Sequence, residues 1–203
     1  MAYTTMTPKY LDLHFWKQLY VGSLPLDHQE KKEPVYLMPR EEDGEKYIYI
    51  LLTKHSDWVS LLVYLLAGRG YTHTSIALGD DPASYYSFNF RGFVEETLEK
   101  HHRKGAQFCC YRVAVSQEAY EKIQHRLLFF RQHRKRFEYS RLGLLCCVLG
   151  LPLRRERKYF CSQFVAELLE KSQALSLPRR SNLFQPNHFV SLLECNPSSV
   201  KIL

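Results

Sequence analysis

Two residues in this 203-residue chain have the types and settings that acyl-transfer chemistry needs, Cys161 and His73. Cys161 lies in Tyr159-Phe160-Cys161-Ser162-Gln163-Phe164, flanked by aromatic residues at the head of a segment that reads as an amphipathic helix. A thiol there feels the partial positive charge of the helix N-terminus, which favours the nucleophilic thiolate. His73 lies in Tyr71-Thr72-His73-Thr74-Ser75-Ile76-Ala77-Leu78, which reads as a strand and offers an imidazole as base. The helix start also leaves unpaired backbone N–H groups where an oxyanion would form. The two residues are 88 positions apart, so only the fold can join them. Against this stands the plain alternative that a cysteine before an apolar stripe is a small core residue and a strand histidine merely a bonded one.

The elements that must position the pair follow from local pattern. Tyr47–Thr53 reads as a buried strand and Trp58–Ala67 as a helix capped by Ser56 or Asp57. Thr72–Leu78 and Ser84–Phe90 read as strands joined by a hairpin, and Phe108–Val115 as a further strand. Ser116 caps an expected helix over Glu118–Arg134, and Gly143–Leu149 reads as helical. Cys161–Ser172 carries an apolar stripe of Phe164, Val165, Leu168 and Leu169, and a short helix over His188–Glu194 follows, with Asn187 as its expected cap. Strands with helices before and after them make an α+β layout, one domain over residues 46–203. Residues 1–45 read as an N-terminal extension with a short helix near Lys9–Tyr20.

Two motifs together resemble a known group. THTSIALGDD (72–81) with the YYSFN strand (85–89), and later YFCSQFVAELLE (159–170), look like the permuted papain-fold cysteine hydrolases, the YiiX-like and NlpC-like group, which also includes relatives of lecithin:retinol acyltransferase. YSFNFRGFVEE, YRVAVSQEAYEKI and LGLLCCVLGLPL resemble uncharacterised bacterial members, and the likeness covers roughly residues 46 to 190. In that group the histidine strand precedes the cysteine helix, the reverse of papain, and that order holds here. The resemblance implies a circularly permuted papain-like fold, with Cys161 as nucleophile and His73 as base. It also implies a third polar residue on the next strand, where Ser87 falls nearest the position and Asn89 shares its face by the two-residue period. Gln163 is placed to contribute to an oxyanion hole. The activity implied is hydrolysis of an amide or thioester through a Cys161 acyl-enzyme. Lipid-type acyl transfer or thioester cleavage on the same fold, and a papain-like binding module without catalysis, are the rivals.

Bulk composition narrows the partners. Apolar residues make up 45% and charged residues 24%, ordinary for a globular chain. The net charge is +7, much of it in 126–136 and 154–158, but no nucleic-acid motif accompanies it. A small peptide-like or acyl substrate is expected, with the basic surface free to meet an anionic membrane or ligand. The six cysteines show no metal-ligand spacing, so neither metal nor cofactor is expected. The first residues lack the basic start and apolar run of a signal peptide, and no apolar run reaches bilayer length, so a cytoplasmic protein with reduced thiols is expected. Leu142–Leu153, the most apolar stretch, is expected as a buried helix or a patch beside a groove, with a dip into a membrane surface as the further alternative.

Overall fold

The computed structural model describes residues 46–54, 70–79, 82–99 and 107–203. The expected extension over 1–45, the helix over 58–67 with its caps, and the Asp80-Asp81 part of the hairpin turn lie outside the described residues, as do His101 and His102.

The architecture is α+β, built on a six-stranded antiparallel sheet in the order β4-β3-β2-β1-β5-β8. Its central strand, β1 (Lys46–Lys54), is fully buried through its middle because apolar or aromatic side chains occupy both faces. It pairs with β2 (His73–Leu78) on one side and β5 (Gln107–Val115) on the other. β3 (Tyr85–Asn89) follows β2, and β4 (Gly92–Glu96) closes that edge. β8 (Ser199–Lys201) closes the other edge against β5.

The helices begin with α1 (Gln117–Gln132), whose N-cap Ser116 accepts a hydrogen bond from Ala119 N at 3.2 Å, as its sequence implies. A short strand β6 (Glu138–Tyr139) then leads to α2 (Arg141–Val148). β7 (Lys158–Tyr159) pairs in parallel with β6 and delivers the chain to α3 (Cys161–Ser172). The last helix is α4 (Pro186–Glu194).

α3 is the core helix of the fold. Every residue from Cys161 to Leu169 is buried, and the helix packs on β2, β3 and α1. Phe164 lies at the middle of an aromatic cluster, with ring centroids 5.1 Å from Phe88, 5.7 Å from Phe93 and 5.1 Å from Phe130. The opposite sheet face buries Tyr47, Tyr49, Leu51, Ala77, Tyr85 and Cys110. The adjacent cysteines of β5 divide between the faces, Cys109 with the helices and Cys110 opposite, because successive strand side chains alternate. All six cysteines are unbridged.

Two departures from the sequence reading matter for the site. The expected strand over 84–90 ends at Asn89, and its partner β4 falls where the sequence reading placed no element. The two strands form a tight hairpin in which Asn89 pairs with Gly92 across Phe90-Arg91. Asn89 Oδ1 accepts from Arg91 N at 2.9 Å, a local turn bond. Gly92 has φ +92, and a Cβ there would lie 2.7 Å from the Phe137 carbonyl oxygen, so both conformation and space require glycine.

Candidate active site

His73 opens β2 and Cys161 opens α3, and both are held in place by their neighbours. The segment entering β2 is tied down by Asn187 of α4, whose Oδ1 accepts from Tyr71 N at 2.8 Å. Gly70 lets that amide approach, since a Cβ at Gly70 would lie 2.2 Å from Asn187 Oδ1. Asn187 therefore acts across the fold on the histidine strand, and the N-cap of α4 is Gln185, not Asn187. Behind Cys161, Phe160 is fully buried against Leu144 and Cys147 of α2.

These supports bring the two predicted residues together. His73 is 7% exposed and Cys161 3% exposed, and the thiol lies close enough to the ring to favour its charged form. The third member is Glu96, from the strand that sequence reading missed. His73 Nε2 lies 2.9 Å from Glu96 Oε2, and the carboxylate is itself buried. Nε2 is thus committed to Glu96.

The electrostatics follow from that chain of bonds. Burial opposes a charged imidazolium, but the hydrogen bond to Cys161, then the bond and negative charge of Glu96, outweigh it. The His73 pKa is raised from 6.5 to about 10. The ring is thus held as an imidazolium at neutral pH, with a carboxylate fixing its orientation from behind.

Ser87 and Asn89, the two residues expected as the third member, serve elsewhere. Ser87 is fully buried, and its hydroxyl donates to the Thr74 carbonyl at 2.6 Å, stitching β3 to β2 next to His73. Asn89 shapes the β3–β4 turn. The correction has a simple physical source: a serine on β3 can satisfy a backbone acceptor locally, whereas the longer Glu96 side chain reaches the imidazole from β4. The sequence signal for Glu96 was present in Gly92-Phe93-Val94-Glu95-Glu96, a β-prone run just after an Asn-x-x-Gly turn.

Gln163 sits at the third position of α3 and is 2% exposed. Beside it, the buried hydroxyl of Ser162 has no hydrogen-bond partner among the described residues, and neither does that of Thr74. α3 has no side-chain cap at Phe160, so its first turn presents backbone N–H groups beside the thiol. His188, the remaining histidine near this end of the fold, is structural. Its Nδ1 accepts from Gln185 N at 3.0 Å, and burial followed by the charge of Arg179 lowers its pKa to about 4. Among the described residues no group of three or more His, Cys, Asp or Glu side chains is placed to hold a metal ion, and no helix is long and apolar enough to cross a membrane.

No protein-family model matches this chain, and no curated protein matches it.

Proposed function

We propose that this chain is a cysteine hydrolase that cleaves an amide or thioester through a Cys161 acyl-enzyme. The observation that carries the reading is the Cys161–His73–Glu96 relay, assembled from a helix start and two strands and buried throughout. A nucleophile, a base and an orienting carboxylate in bonded sequence is the arrangement that acyl transfer requires. The antiparallel sheet, the histidine strand before the cysteine helix and the burial of that helix favour a permuted papain-like fold as its framework.

In this mechanism the Cys161 sulfur attacks the substrate carbonyl carbon as its proton resides on His73. The first turn of α3 faces the developing oxyanion with backbone N–H groups, and Gln163 is the side chain proposed to assist. The tetrahedral intermediate collapses as the C–N or C–S bond breaks, and His73 gives its proton to the departing amine or thiol. A water molecule, deprotonated by His73, then attacks the thioester carbonyl and releases the acid and the free thiol. Glu96 remains ionised and holds the ring in place.

The presence of a buried carboxylate at the third position removes the main support for a non-catalytic binding module, which was the weak polarity of Ser87. The test is labelling and turnover with a panel of thiol-directed amide and thioester probes. Wild type is expected to label at Cys161 and to turn over at least one of them, with both signals lost in Cys161→Ala and His73→Ala. Equal labelling or turnover in the alanine variants would defeat the proposal.

A further inference from the structure

Most of the chain's net charge lies in one short stretch that also exposes its apolar side chains. Between Arg134 and Lys158 eight basic residues stand against two acidic ones, leaving +6 of the total +7. Both acids are paired within the stretch, Glu138 with Lys158 and Glu156 with Arg157, and Arg154 meets Glu167. Arg134, Lys135, Arg136, Arg141, Arg155 and Arg157 are exposed.

α2 lies in the middle of this stretch and has two apolar faces. Leu144 and Cys147 are buried against Phe160. Leu142, Leu145 and Leu149, spaced by three and four residues and so on one face, are 50%, 40% and 59% exposed. Leu151 continues the strip at 56% exposed, and Phe90 adds a ring beneath the Arg141 guanidinium, 5.4 Å from its centroid. An apolar strip flanked by a predominantly basic stretch marks an interaction surface.

We propose that this face of α2 is a docking surface for an anionic lipid bilayer, with the leucines entering the headgroup–acyl boundary and the arginines meeting the lipid phosphates. Charge decides the occupant. A second copy of the chain would set one basic stretch against another, which opposes association, whereas an anionic membrane surface attracts basic residues. α2 has eight residues and is about 12 Å long, so it lies in the interface and does not cross it. The docking does not depend on the chemistry proposed for Cys161. If both hold, the bilayer lies about one helix diameter, ~10 Å, from Phe160 and the adjoining nucleophile, which suits an acyl substrate held in a membrane.

The experiment is co-sedimentation of the full chain with vesicles of phosphatidylcholine, alone or with about one-third phosphatidylglycerol. Binding is expected to the anionic vesicles and to weaken several-fold as salt rises. Leu145→Asp with Leu149→Asp should abolish it, and Arg155→Ser with Arg157→Ser should reduce it several-fold. A Leu149→Trp variant reads the same contact without a new charge, its emission shifting to the blue on anionic vesicles. Cys161→Ala should bind like wild type, which separates this proposal from the catalytic one. It is overturned if anionic vesicles are not bound, if the double aspartate variant binds undiminished, if the tryptophan emission does not move, or if sedimentation velocity shows a leucine-dependent dimer in place of vesicle binding.

Discussion

At pH 7 the His73 ring is held protonated beside the buried Glu96 carboxylate, with the Cys161 sulfur as its other neighbour. The His73 pKa of about 10 sets the alkaline limit for any step in which the ring acts as an acid. Turnover should therefore fall as pH rises through about 10. Glu96→Gln removes the negative charge behind the ring and should move the His73 titration down towards 6.5, drawing the alkaline limb with it and cutting turnover by at least about tenfold. Ring-proton NMR and a pH–rate profile measure both; an unmoved titration would show that Glu96 does not govern the ring. Stability has the same sign. Because the folded pKa is raised, the His73 contribution is present in full below 6.5 and is lost as pH rises through about 10. The stability gap between wild type and Glu96→Gln should thus be wide at pH 6.5 and narrow above pH 10. Cys161 and His73 were legible as sequence because each sits at an element boundary with a clear signal. For Glu96 only the strand was legible, in the β-prone run after the turn; its reach to His73 is a tertiary contact that local sequence does not encode.

The elements fare differently according to what fixes them. α1 and α3 fall within two residues of their sequence readings, since a capping serine marks one and an apolar stripe the other. β4 was missed because its five residues are cut from β3 by a two-residue turn, and the pair reads as one run. Asn187 shows the same limit from the other side: its type suits a helix cap, yet tertiary contact assigns it to the Tyr71 amide. Gly70→Ala should clash with that amide and destabilise by roughly 1–3 kcal/mol, with a matching loss of probe reactivity at Cys161. Adding Asn187→Ala removes the obstacle, so the double variant should be more stable than the sum of the two single losses. Additive losses in urea unfolding would contradict the close packing of these two residues.

At the scale of the whole molecule, a cluster of rings helps to join the sheet to the helix that bears Cys161. Phe164 touches aromatic neighbours from β3, β4 and α1, so the same cluster fixes the helix bearing Cys161 and the strand bearing Glu96. Phe164→Ala should cost about 3–5 kcal/mol in urea unfolding. Recovery of wild-type stability in that variant would mean that the cluster closes around the gap. A sequence rich in Phe and Tyr announces such a cluster without saying which rings meet, because partners from four elements are chosen by the fold alone. The α+β class was legible for the opposite reason, as it depends only on the order and type of elements.

β4 is the outermost strand of its edge, hydrogen-bonded in the sheet to β3 alone. Edge strands open at lower free energy than the strands they cover, so β4 should fray while β1, β2 and α3 remain intact. Each such opening withdraws Glu96 from His73. Amide hydrogen exchange across 92–96 should then be faster than across β1, and low urea concentrations should silence catalysis before circular dichroism records any unfolding. On the proposed reading, Cys161 and His73 sit on elements enclosed by the fold, while the carboxylate behind the ring is mounted on an edge strand.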